Sequence, residues 1–194
     1  MGKHLVSMIA VALSLTSLTM GCTIKLAPST IPRLDAKTEG LAGPFNNISV
    51  TLVNVQADDA NFSVKDANGK NTGWVANRRL WTEKLAEALE TELTARQAKV
   101  VGGAPVTISL KITTVDYRAG RAGGYIIRFD VTANAASSSG WTKTYIGVGS
   151  TSALVPAGVK KDSNWTRAAN AAIRDVVLAI MSDPEFIAEL RKQK

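Results

Sequence analysis

One cysteine and one histidine are all that the 194 residues offer of the two most versatile catalytic side chains. The histidine is His4, near the start of the chain, and the cysteine is Cys22. With no second thiol, an intramolecular disulfide has no partner. With no histidine beyond His4, Ser-His-Asp and Cys-His nucleophiles and histidine-rich metal centres are excluded together. Long apolar runs are missing too. The stretch Leu5 to Leu18 is interrupted by Ser7, Ser14, Thr16 and Ser17. Its fourteen or so residues would rise about 21 Å as a helix, short of a hydrocarbon core of about 30 Å. No Walker spacing with a Lys-Ser/Thr ending occurs, so no phosphate loop is present and no cofactor is expected.

What is there begins with address. Lys3 and His4 precede the short apolar stretch, and small residues follow it. That order describes an export signal over residues 1–21, removed from the mature chain, better than an anchor. Cys22 stands directly behind it. Covalent lipidation of the sulfur is a chemistry that needs only one thiol. Leu18-Thr19-Met20-Gly21-Cys22 resembles the lipobox of bacterial lipoproteins. The resemblance implies a diacylglycerol on Cys22, cleavage before it and acylation of the freed amine. Each buried methylene contributes about 0.8 kcal/mol, so two or three chains hold a protein on a membrane where one does so only marginally. Thr23, rather than Asp, follows the cysteine, which by the same resemblance favours the outer membrane.

Residues 22–46 hold Pro28, Pro32 and Pro44 and show no apolar period. Proline removes backbone donors and disfavours helix at the residue before it. The segment is expected to be a tether, its start able to pack on the domain. As a flexible chain it would span roughly 25 to 30 Å.

Residues 47–194 are long enough for one domain with its own core. Ile48, Val50 and Leu52 alternate, and Val53 and Val55 continue in shifted phase, as in a bulged or doubly covered strand. Polar residues and turn formers fill 56–73, with Asn68-Gly69 a tight-turn signal. Asn77 can cap a helix over 78–97 whose stripe is Leu80, Trp81, Leu85, Ala88, Leu89 and Leu93. Three strands follow as a meander. The first alternates through Val106, Ile108, Leu110 and Ile112, the second through Tyr125, Ile127, Phe129, Val131 and Ala133, and the third covers 141–150. A final helix from Asp162 or Ser163 would bury Trp165, Ala169, Ala172, Ile173, Val176 and Ile180. Asp183-Pro184 restarts a short one with Phe186, Ile187 and Leu190 to dock it. The order β-α-β-β-β-α predicts a two-layer α+β sandwich. It has a mainly antiparallel sheet of about four strands, two helices on one face and a polar face in water.

The helix opening Asn77-Arg78-Arg79-Leu80, its end Leu93-Thr94-Ala95-Arg96, and Met181-Ser182-Asp183 resemble YajG-type outer-membrane lipoproteins. Gln97 stands where that family is expected to have glycine. The resemblance implies a lipoprotein facing the periplasm and carries no catalytic residues. A more distant similarity links the fold to lipoproteins that assist envelope transporters or activate wall synthases.

Charge points to partners. The net charge is +7, and losing residues 1–21 removes one lysine and no acid. A mature balance of about +6 favours anionic lipid heads, acidic wall or lipopolysaccharide groups, or an envelope protein. Nucleic acid is not expected, because no reading motif is present. Arg118 and Arg121 lie in DYRAGRAGGY, read as a glycine-rich connection between strands and as the best contact outside the core. The plain alternative is a soluble hairpin loop. Glu83, Glu87 and Glu90 read as a solvated helix face. Asp116 and Asp130 could formally act as a carboxylate pair, but Arg118 and Arg128 nearby favour surface pairing. The expected function is binding without catalysis. A carrier for an apolar ligand and a carboxylate hydrolase are the alternatives.

Overall fold

A computed structural model describes residues 25–35, 40–41, 43–56, 61–65, 70–121, 125–153 and 162–192. Residues 1–24, among them the expected export signal, Cys22 and Thr23, lie outside the described residues. The elements run β1 (Lys25–Leu26), β2 (Ser49–Asn54), β3 (Asn61–Lys65), β4 (Asn71–Asn77) and α1 (Arg78–Ala95). They continue with β5 (Lys99–Val100), β6 (Val106–Arg121), β7 (Tyr125–Ser137), β8 (Thr142–Ala153), α2 (Asp162–Met181) and α3 (Pro184–Leu190). Five strands form one sheet in the order β5-β2-β6-β7-β8, and three form a small second sheet, β1-β4-β3. β2 is parallel to β5 and β6, whereas β6, β7 and β8 are antiparallel.

Both long helices lie on one face of the five-stranded sheet, as the α+β reading expects. Asn77 caps α1 by accepting the Leu80 N–H at 2.9 Å. Trp81, Leu85, Ala88, Leu89 and Leu93 are buried along its stripe. α2 buries Trp165, Ala169, Ala172, Ile173, Val176 and Ile180, and α3 buries Phe186, Ile187 and Leu190. Where α2 crosses β8 the backbones nearly touch. A Cβ at Gly147 would stand 2.3 Å from the Ala172 carbonyl oxygen, and one at Gly149 2.0 Å from that of Ala168. Only glycine permits this approach. At one end of the layer, Tyr117 stacks on Trp165 with ring centroids 4.7 Å apart. Phe129 there meets Trp81 and Tyr117, each at 5.5 Å.

Three features depart from the expected pattern. The alternation of β6 changes phase, because a bulge lies between Ile112 and Thr114. Val106 to Ile112 bury even-numbered residues; beyond the bulge Val115 and Tyr117 point inward. The Ile112 N–H beside the bulge donates to the buried Thr82 hydroxyl of α1 at 3.2 Å. Next, the polar stretch after residue 56 holds two strands, β3 and β4, paired antiparallel with Lys65 opposite Asn71. The Asn68-Gly69 turn itself lies outside the described residues. β3 and β4 belong to the second sheet, and the main sheet reaches five strands rather than about four through the two-residue β5.

The third departure concerns the tether. Much more than its start packs on the domain. Lys25 and Leu26 pair in parallel with Val75 and Ala76. The Ser29 N–H donates to Asn170 Oδ1 at 2.8 Å, and Asn170 Nδ2 returns a bond to the Thr30 carbonyl at 2.9 Å. The Leu34 N–H donates to Glu92 Oε1 at 2.8 Å, and the Phe45 N–H to the Arg96 carbonyl at 2.7 Å. Leu34 and Phe45 are buried. The segment is thus a strap laid along α1 and α2. Its prolines erase the periodicity by which a ladder would be recognised, while side chains of the helices take up its polar groups.

Candidate functional site

β6 and β7 form a long hairpin whose inner face joins the core. Tyr117 and Phe129 point inward, so their neighbours must point out. Arg118 lies opposite Arg128, and Asp116 opposite Asp130. The four charges form two rows, an arginine pair and an aspartate pair, each residue facing its like across the ladder. Like charges directly opposite repel, and the diagonal and along-strand pairs offset this. Arg128 holds Asp130 at 2.8 Å, and Arg118 approaches the same carboxylate at 3.7 Å. The hydrogen bond and charge of Asp130 raise the Arg128 pKa further, so it stays a cation at any working pH. Arg118 keeps 70% of its side chain in water.

The two arginines do not sit in a loop. Arg118 lies well inside β6, and Arg121 is its last residue, opposite Tyr125. The ladder runs through Gly120, which lies opposite Ile126. The connection that remains, residues 122–124, lies outside the described residues. The outer sheet face is mostly polar, as expected of a face in water, but Ile126, Ile146 and Val148 are exposed on it.

Two other polar clusters are fasteners. Glu92, whose side chain is 3% exposed, holds Arg96 at 2.5 Å and the strap through the Leu34 N–H. At the foot of α3, Tyr145 donates to Asp183 at 2.5 Å, and Lys143 bridges Asp183 and Glu185, each at 3.1 Å. Burial disfavours the Asp183 charge. Hydrogen bonds from Tyr145, Lys143 and the Glu185 N–H outweigh it and hold the pKa below the usual carboxylate range. Burial, reinforced by Asp183, pushes the Tyr145 phenol far above its ordinary value. Glu189 accepts from Ser137 at 2.6 Å, from Ser139, and from Lys192 at 2.5 Å. Burial raises its pKa and these bonds outweigh that, leaving it lowered. Sequence reading missed these clusters, because the bonds that tie them across elements join residues 38 to 58 positions apart.

Glu83, Glu87 and Glu90 line an open groove of about 400 Å³ between α1 and β2, with Leu52, Val100 and Val101. Glu83 pairs with Arg79 at 2.9 Å and Glu87 with Lys84 at 2.6 Å, as a solvated helix face would. Among the described residues no group of three or more His, Cys, Asp or Glu could hold a metal. Nor, among them, is any helix long and apolar enough to cross a membrane.

No family model and no curated protein matches the chain. Solved structures do. A Xanthomonas campestris protein of family DUF330 is 12% identical, with a TM-score of 0.50 over 82% of this chain and 93% of its own. A minor lipoprotein from Acinetobacter baumannii is 13% identical, with a TM-score of 0.44 over 71% of this chain and 90% of its own. At such identities the first likeness shows a shared fold.

Proposed function

We propose that this chain is a lipid-anchored protein of the bacterial cell envelope, acylated on Cys22, whose α+β domain binds another envelope component without catalysis. The observation that carries the reading is the sole thiol placed directly behind a short apolar leader. Thr23 and the YajG-type resemblance favour the outer membrane, with the domain facing the periplasm. For contact with the partner we favour Arg118 and Arg121, at the far end of β6. The Arg118 side chain is mostly in water, and a guanidinium group engages carboxylate or phosphate with two parallel donors, which lysine cannot reproduce.

The alternatives find less support. A carrier would need an unfilled space between helices and sheet, but Trp81, Phe129, Leu89 and Ile173 occupy that layer. A hydrolase would need Asp116 and Asp130 converging in a cleft; they stand on the outer strand face, Asp116 exposed and Asp130 half-buried under Arg118 and Arg128.

Mass spectrometry of the membrane fraction tests the anchor. A diacylglyceryl group on Cys22 is expected, and Cys22→Ser should stall processing or release the domain. An unmodified thiol on a soluble mature chain would sink the proposal. Contact is tested by complementing a deletion strain with Arg118→Ala/Arg121→Ala at equal membrane abundance. Folding should change by no more than about 0.5 kcal/mol per site, while crosslinked partner capture or rescue is lost. Undiminished capture and rescue would leave these arginines without a role.

A further inference from the structure

The fold fixes which end of the domain the anchor holds. β1 enters alongside β4 and parallel to it, with Lys25 beside Val75. Three peptide units separate Lys25 from Cys22, so their Cα atoms lie no more than about 11 Å apart. β4 leads at once into the N-terminus of α1. Trp81 in the first turn of α1 touches Phe129, which meets Tyr117 from the neighbouring strand. Arg118 and Arg128 stand on the outer face at that same level. The anchor proposed at Cys22, the start of α1, and the facing arginines Arg118 and Arg128 therefore share one end of the molecule. The other end holds the turn at Ser138–Gly140 and α3, tied together by Ser137 and Glu189. α2 runs from Trp165 at the first end to Met181 at the second. That stretch of helix puts the two ends roughly 25 Å apart.

Charge at the anchored end agrees. The first turn of α1 contains Arg78 and Arg79 and no acid, although Glu83 one turn on pairs with Arg79 at 2.9 Å. Arg118 is mostly in water, and one carboxylate, Asp130, is shared between it and Arg128. Asp116 moderates the patch, so its attraction for anions is weak by itself. Weak attraction is enough to orient a domain that an anchor already holds at high effective concentration. Ile126, exposed near the tip of the hairpin, adds an apolar contact.

We infer that the domain rests on the anionic headgroup layer of its own membrane through this end, with Arg118, Arg128 and Ile126 facing lipid phosphates and α3 pointing away. The inference rests on the anchoring of Cys22 proposed above and names the lipid surface as what the arginines meet.

The test uses the full lipidated protein in vesicles of phosphatidylethanolamine and phosphatidylglycerol carrying a nitroxide headgroup. Acylation consumes the Cys22 sulfur, so Ile126→Cys or Ser138→Cys supplies the single thiol for a fluorophore. The label at 126 should be quenched several-fold more than that at 138. The contrast should shrink in phosphatidylcholine vesicles, in high salt, and in Arg118→Glu/Arg128→Glu. Equal or reversed quenching on protein that floats with vesicles and carries its lipid would overturn the orientation alone, and would return this face to a protein partner. Protein that neither floats nor carries lipid would overturn the anchor and this inference with it.

Discussion

At the scale of single residues, Gln97 shows a family-level expectation turning into strain. α1 ends in a Schellman arrangement, in which the Ala98 N–H bonds the Leu93 carbonyl and the Gln97 N–H that of Thr94, both at 3.0 Å. That geometry demands a left-handed residue, and Gln97 supplies it with φ 70°. Glycine would adopt the conformation without steric cost. Gln97→Gly should therefore raise the urea midpoint, with a gain of up to about 1 kcal/mol after the entropy of the freer unfolded chain is subtracted. A lower midpoint would mean that the glutamine side chain makes a contact outweighing the strain. The turn was expected from the family resemblance, while the residue pattern carried the helix to Gln97, two residues past Ala95, where α1 ends. Buried Thr82 and Glu92 were not legible, because what satisfies them arrives from β6 and from the strap.

At the scale of elements, two attachments are open to measurement. Gly149 lets α2 lie against β8, and a methyl group there would meet backbone rather than a side chain that could turn away. Gly149→Ala should cost about 1 to 3 kcal/mol or more. A thermal midpoint equal to that of the unaltered protein would show that the helix shifts freely. The docking of α3 depends on acid. Asp183 and Glu189 both have lowered pKa values in the folded protein, so each contributes stability that is complete above its unfolded value. That contribution fades as pH falls through the folded value. Release of α3 is thus expected below about pH 4, the ordinary carboxylate range. Fluorescence of Trp141, which packs on Phe186 with centroids 6.0 Å apart, should report it. Lys143→Met should move the transition toward higher pH, and no movement would remove Lys143 from the clamp. Helices were readable here because an apolar stripe survives any partner. β3 and β4 were not, because short polar strands are specified by the edge that they pair with. Arg118 lay in a strand that outran its apolar alternation, so the reading ended it too early.

At the scale of the whole molecule, the domain begins earlier than its pattern of hydrophobicity does. If the strap were a tether, Phe45→Ala would change nothing. As part of the core it should cost about 3 to 5 kcal/mol in urea unfolding. The strap also imposes an order in time. Ser29 is held by Asn170, 141 residues further along, and Leu34 by Glu92, 58 residues further along. On a chain that leaves the cell interior with its N-terminus leading, neither clasp can close until those helices have emerged and folded. On the acylation of Cys22 proposed above, the strap from Lys25 onward is therefore still unclasped when modifying and cleaving enzymes act on the cysteine, and it closes only afterwards. These long-range bonds among the described residues thereby act as a clock, shutting the strap only after the helices it clasps have folded.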